Sequence, residues 1–190
     1  MIKNLMGGLT ESALNEMDEK KVCNLARSLL GLQANNQRDD LTEYLDMAKK
    51  VYLKKHNWRK QRKEVNEEEP EQIISKENIA VREALKELGI EFQEEELLQD
   101  VLYKPDFFIP SLNMAVEING ISHFYPYSSR FNNFSNTKNK ILKSHGYGIV
   151  HLNAWKLEGL LKYNNAAGLK EFLAKSIESG KLRMAPRTEN

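Results

Sequence analysis

The stretch PDFFIPSLNMAVEINGISHF, residues 105–124, decides the fold. Two runs rich in aromatic and aliphatic residues, Tyr103 to Ile109 and Met114 to Ile118, flank Pro110 and the turn-forming Ser111, Leu112 and Asn113. Proline ends a strand because it has no N–H for the ladder, and asparagine suits the tight reversal that follows, so the runs read as a hairpin. Asn119 and Gly120 close its second strand. The hairpin brings two carboxylates, Asp106 and Glu117, onto neighbouring strands. A carboxylate between Val116 and Ile118 on a central strand is costly to bury without a partner, which marks Glu117 as a site residue. Asp106 reads either as a second site residue or as a strand-end charge that accepts a hydrogen bond.

Upstream, Ser75 can cap a helix carrying Ile79, Ala84, Leu85 and Leu88, with Gly89 as its stop, and Ile90 to Gln93 alternates as a short first strand. Downstream, a helix is expected near Asn136 to His145, ended by Gly146. Gly148 to Leu152 reads as a strand, and two short helices follow near Trp155 to Leu161 and Gly168 to Ser179. The order helix, three strands, helix, strand is an α/β arrangement.

The N-terminal region, residues 1–63, reads as an α-helical hairpin. Leu14, Met17, Val22, Leu25, Ala26, Leu29 and Leu30 recur at helical spacing, with Gly31 placed to end the helix. Asp39 or Asp40 can cap a second helix bearing Leu41, Tyr44, Leu45, Ala48, Val51 and Tyr52 on one side. Two such helices bury little by themselves, so they are expected to dock on a further surface. From Lys49 to Lys63 there are eight Lys or Arg and no acid, and from Glu64 to Glu71 five Glu and no base. Such blocks fit a solvated helix face followed by an acidic linker, here residues 64–74. Tyr52 and Trp58 within the basic block suit either helix packing or stacking on bases.

The net charge of +1 says nothing by itself about nucleic acid. No stretch approaches the about eighteen apolar residues of a membrane span. Met1 to Lys20 lacks a continuous apolar core and any arginine and carries Glu11, Glu16, Asp18 and Glu19, so it reads neither as a secretory signal nor as a clear transit peptide. Cys23 is the only cysteine, which excludes an intrachain disulfide, and His56, His123, His145 and His151 show no zinc-ligand spacing.

From Ser75 to Ser179 the chain resembles a RAP domain, an RNA-associated module built on the fold of the PD-(D/E)xK nucleases. The resemblance rests on ordered landmarks: PDFFIP at 105–110, AVEINGISHF at 115–124, Lys138 to Leu142 on a helix, then His145–Gly146–Tyr147, Val150 and Trp155. It implies a restriction-endonuclease-like core at residues 75–179, preceded by the helical hairpin and followed by a basic tail at 180–190. Proteins with this domain typically act on organellar RNA, often with helical repeats before the domain. The resemblance therefore implies a mitochondrial or other organellar location, RNA (rRNA included) as partner, and protein subunits of a ribonucleoprotein contacted through the N-terminal helices. No membrane partner is expected.

The ancestral chemistry uses two carboxylates on Mg²⁺ and a lysine near the attacking water. Asp106 and Glu117 are the possible Mg²⁺ ligands, with Glu77 or Glu83 as a third carboxylate. Asn119 stands where the nuclease pattern has lysine, so the cation must come from the following helix, through Lys138 or Lys140. The catalytic set Asp106, Glu117, Asn119 and Lys140 is accordingly read as vestigial. Binding without cleavage and with no required cofactor is the favoured reading, and a metal-dependent endoribonuclease is the alternative. For binding, His123, Tyr125, Tyr127, Arg130 and Lys138 are the candidates, since single-stranded RNA is recognised by rings that stack on bases and cations that meet phosphates. Tyr127 and Arg130 are expected to be exposed and Phe124 and Phe134 buried. Trp155 and Tyr147 are expected to be scaffold, and Lys175, Lys181, Arg183 and Arg187 a second basic patch.

Overall fold

The computed structural model describes residues 8–36, 39–65 and 74–184. These form two compact units: the N-terminal helices together with Leu98–Tyr103, and the remaining residues from 74 onward. Most of the acidic linker and the end of the basic tail, Arg187 included, lie outside the described residues.

The first unit contains α1 (Glu11–Glu16), α2 (Glu19–Asn36), a short 3-10 turn (Asp39–Leu41) and α3 (Thr42–Val65). The single helix expected across Leu14–Leu30 is two helices. Met17 is extended (ψ 149°), and Asp18 Oδ1 accepts the Lys21 N–H at 2.8 Å, which starts α2 afresh. Gly31 does not end the helix. It is buried within α2, which packs against α3, and that packing outweighs the roughly 1 kcal/mol glycine costs inside a helix. Most of the expected apolar stripes are buried, from Leu14, Val22 and Ala26 to Leu45, Val51 and Tyr52, while Met17, Leu25 and Tyr44 are half-buried. The basic block lies on α3. Lys50 pairs with Glu11 (3.2 Å), Lys55 donates to the Asn15 carbonyl (2.8 Å), and His56 and Arg59 meet Glu19 at 3.1 and 3.4 Å. Much of the block therefore ties α3 to α1 and α2. In Leu98–Tyr103, the Leu102 carbonyl accepts two hydrogen bonds from Arg27, whose guanidinium lies 4.4 Å from the Tyr103 ring centroid.

The second unit runs α4 (Lys76–Glu87), β1 (Gln93–Glu94), β2 (Phe107–Ile109), β3 (Met114–Asn119), α5 (Asn133–Ser144), β4 (Gly148–Asn153), α6 (Ala154–Lys162) and α7 (Ala166–Met184). It is an α/β unit on a mixed four-stranded sheet of order β1–β2–β3–β4, antiparallel except for the parallel pair β3–β4. The helix α5 makes the crossover that a parallel pair requires. Two expected strands are shorter. The first is Gln93–Glu94 rather than Ile90 to Gln93, because Ile90 caps α4 by donating to the Leu85 carbonyl and Phe92 packs edge-on to Phe107. The second starts at Phe107, not Tyr103, because Tyr103 and Leu98 close a separate loop. The hairpin itself stands, with Asn113 left-handed (φ 46°) at the reversal. Gly89 and Gly146 end α4 and α5 at φ +66° and +81°, values that favour glycine. The last helix runs on to Met184, beyond the expected end at Ser179 and into the tail.

Strand alternation sorts the unit. Val116, Val150 and Leu152 join Val81, Leu85 and Leu173 in one core beneath α4, α6 and α7. Glu117, Asn119 and His151 alternate to the opposite face, toward α5.

Candidate nucleic-acid interface and carboxylate cluster

Parallel pairing sets Glu117 beside His151 and Asn119 beside Asn153. Asn119 is buried, and its Nδ2 donates to the Glu117 carbonyl (3.0 Å) and toward His151 Nδ1 (3.0 Å). Asp106, just before β2, accepts the Ile118 N–H on Oδ2 at 2.6 Å. From α5, capped by Asn132 on the Ser135 N–H, Lys138 brings its ammonium to 2.6 Å from Glu117 Oε1. The contact is a largely buried ion pair. Two residues along a helix is a rotation of roughly 200°, so Lys140 faces away from Lys138 and is exposed. The helix cation at the carboxylates is therefore Lys138, expected as an RNA contact, and not Lys140, expected as the catalytic cation.

Burial pushes the Glu117 carboxyl up to about 7, Lys138 pulling it down and Asp106 adding to the rise. Burial pushes His151 down to about 4, helped by Lys143, Lys138, Arg183 and His123. His123 is also lowered, by burial and then by Lys138, with Asp106 opposing; its Nδ1 lies 3.4 Å from Ser135 Oγ. Asp106, Glu117, Asn119, His123, Lys138 and His151 thus share one field. His151 belongs to this cluster as well, and its place between Val150 and Leu152 is the sequence signal that turns it to this face.

The carboxylates fit a metal ion poorly. Glu117 is engaged by an ammonium and Asp106 by a backbone N–H. The third carboxylate expected from α4 is not supplied: α4 packs on the other face of the sheet, and Glu83 pairs with Lys86 at 3.0 Å. Among the described residues no three His, Cys, Asp or Glu are grouped to hold a metal.

Next to this cluster, residues 124–131 fold back on themselves. Phe124 and Phe131 bridge, Tyr125 N–H donates to the Arg130 carbonyl (3.0 Å), and Asn132 N–H to that of His123 (3.0 Å). Phe124 stacks on Phe131 at 4.9 Å and on Trp155 at 6.2 Å, and Phe131 lies 4.6 Å from the His151 ring. The result is a ledge of near-parallel rings. Tyr127 and Arg130 are exposed, as expected. Phe134, expected in the core, is 62% exposed although it shares a side of α5 with buried Ile141 two turns on, because it stands in the first turn of the helix. Phe124 is only partly buried, at the centre of the ledge. Trp155, expected as scaffold, is 54% exposed: the core position of α6 is taken by Leu157, and the indole lies on the ring stack instead. Tyr147 is partly buried, edge-on to Phe108 at 5.9 Å.

Residues 116–175 match the family model described as RAP domain. No curated protein and no solved structure matches the chain. The matched span takes in Glu117, Asn119, His123, Lys138, His151 and Trp155, while Asp106 precedes it.

Proposed function

We propose that this chain, whose residues 116–175 form a RAP domain, binds single-stranded RNA on the ledge built by Phe124, Phe131 and Trp155, with Tyr125, Tyr127 and Arg130 beside it. The observation that carries this reading is the exposure of rings a small domain would otherwise bury: Tyr127, Trp155 and Phe134 lie open on a unit whose core is already filled by aliphatics and Phe107. Exposed rings stack on bases, at about 1–3 kcal/mol each. The proposed role is that of an organellar RNA-processing factor or a structural subunit of an organellar ribosome or other RNP. The N-terminal helices would serve protein subunits. The proposed core is the PD-(D/E)xK one, supported by the β2–β3 hairpin, the α5 crossover and the parallel β4.

The carboxylate cluster is read as a structural remnant that does not cleave RNA and needs no cofactor. One observation favours the second reading, a metal-dependent endoribonuclease: Lys138 reaches Glu117 from the helix, replacing the cation that Asn119 lacks. Labelled single-stranded and structured RNAs, incubated with Mg²⁺ or Mn²⁺ and with EDTA, decide between them. The expected result is binding without cleavage. Metal-dependent cleavage lost in both Asp106→Ala and Glu117→Ala would make the protein a nuclease. Absence of RNA binding by the wild type would overturn the function proposed here.

A further inference from the structure

Along the edge strand β4 lies a groove of about 330 Å³, between β4, α6 and α7. Its lining includes Lys156, Lys175 and Arg183, with Ser179 among them, and contains no carboxylate. The placement follows from helix geometry. Lys175, Ser179 and Arg183 are four residues apart on α7 and so form one stripe along its length. Lys156 faces them from α6, its ammonium 4.2 Å from the Phe172 ring centroid, which fixes the charge over the groove wall. Gly180 sets the depth. A Cβ there would stand 2.8 Å from Val150 Cγ2, so only glycine lets α7 lie this close to the sheet. Lys175 pairs with Glu171 at 2.5 Å, but both side chains are largely exposed and such pairs exchange readily for another anion. The Ser176 hydroxyl is turned to the Phe172 carbonyl (2.7 Å), while Ser179 lines the groove and is exposed.

The groove is continuous with the ring ledge. His151 lines the groove and packs on Phe131, and Lys156 follows Trp155 in the first turn of α6. Rings that hold bases and cations that hold phosphates are the two halves of a single-strand RNA site. We propose that the groove is a phosphate subsite for RNA, in which Lys156, Lys175 and Arg183 hold one phosphate and the Ser179 hydroxyl donates to it. The inference rests on the RNA-binding function proposed above and extends its surface to α7, where Arg183 lies beyond the matched span.

The test is fluorescence anisotropy of the full chain with short single-stranded RNAs, bearing either a 5′-phosphate or a 5′-hydroxyl, across a salt series. Lys175→Gln with Arg183→Gln removes two exposed cations and is expected to leave the melting temperature unchanged. Loss of one phosphate contact should shrink the slope of log K against log salt by roughly 0.7 and weaken binding about fivefold at 0.1 M salt. Trp155→Ala should instead weaken binding at unchanged slope, since stacking releases no counterions. A loss confined to the 5′-phosphorylated RNA assigns a terminal phosphate, and a loss with both assigns an internal phosphodiester. Either supports the subsite. Unchanged affinity and slope in a protein that does bind RNA overturn it while leaving RNA binding intact. A loss seen with a polyglutamate peptide but not with RNA gives the groove to an acidic protein partner and also overturns it. If the wild type binds no RNA, the RNA function fails, and inorganic phosphate followed by amide shifts at Ser179 and Gly180 decides the groove separately. Shifts that vanish in the double variant support an anion site there, and their absence in the wild type overturns it.

Discussion

Glu117 and Trp155 belong to the same unit, one on β3 and the other just after β4, yet they meet solvent in opposite ways. Glu117 is 5% exposed and stands 2.6 Å from an ammonium, while Trp155 is 54% exposed with one face on Phe124. Around Glu117 each polar group is turned toward another: Asp106 to the Ile118 N–H, Asn119 to His151, Lys138 to the carboxylate itself. Around Trp155 the rings are stacked on one another and open to solvent. A buried group that already faces an opposite charge inside the protein has less to offer a ligand than an open one. A ring with a bare face still has its π surface to give. The residues that look catalytic by type are thus the inward-turned set, and the outward-turned rings are the better candidates for contact with RNA.

The strongest way to break this comparison is to remove Lys138. Well above pH 7, where Glu117 is ionised, taking away one partner of this buried pair leaves an uncompensated charge, and the expected loss is about 3–5 kcal/mol of folding stability. Lys138→Ala should show it in urea denaturation, and adding Glu117→Gln should restore most of it, because the orphaned charge is then gone. A Lys138→Ala protein as stable as wild type would mean that the cluster is open enough for water to replace the ammonium.

The pH dependence of stability is a second test, somewhat smaller. Glu117 titrates near 7 in the fold against an ordinary 4.5, so the folded state holds an extra proton between these values. Its contribution is fully present below about 4.5 and is lost as pH rises through 7. His151 titrates near 4 against 6.5. Its contribution is present above 6.5 and lost as pH falls through 4. Each amounts to about 3 kcal/mol at most, and from pH 4.5 to 6.5 they oppose each other. Wild type should therefore be nearly flat in that window. His151→Gln should leave a stability that falls with rising pH, and Glu117→Gln one that rises. Parallel profiles for the two variants would refute the assignment of opposite shifts.

Trp155→Ala sharpens the other side. RNA affinity should fall by about 1–3 kcal/mol, while folding stability should change by no more than the roughly 1 kcal/mol that an aromatic pair supplies. A collapse of stability instead would return Trp155 to the scaffold.

How far the sequence reveals this division depends on whether the signal is local. The hairpin was legible because Pro110 and Asn113 act within the turn they make. The helix stops at Gly89 and Gly146 were legible because each is followed by a residue, Ile90 or Tyr147, whose N–H reaches back five residues to a helix carbonyl. Gly31 looks the same locally and is different only because a neighbouring helix packs over it. Glu117 announced its need for a partner, but the partner's identity turned on the rotation of α5, which Asn132 fixes by capping three residues earlier than the apolar pattern indicated. Exposure of Trp155 and Phe134 was not legible, since a large apolar residue signals the core by type alone. Only the tertiary fact that aliphatics and Phe107 already fill that core leaves these rings outside.

The smallest expected effect concerns Tyr127. Ser128 N–H donates to the Tyr125 carbonyl (3.1 Å), closing a turn with Pro126 in its second position and Tyr127 in its third. Tyr127 has φ 56°, a left-handed value that turns with proline in the second position usually assign to glycine. The side chain is fully exposed, so burial gives nothing in return for that conformation. Tyr127→Gly should relieve about 1 kcal/mol of backbone strain and lose about 0.4–1 kcal/mol through the freer unfolded chain. Folding stability should then stay within about 0.5 kcal/mol of wild type, the near-cancellation of those two amounts. If the ring is held outward to stack on a base, RNA affinity should nevertheless fall about fivefold, the lower end of the stacking range, because Tyr127 lacks the ring support Trp155 has. Calorimetric unfolding and anisotropy on the same preparation read the two quantities side by side. Unchanged affinity with raised stability would show that the strained tyrosine serves no contact with RNA, and the interface would contract to the Phe124–Trp155 ledge and the rings packed on it.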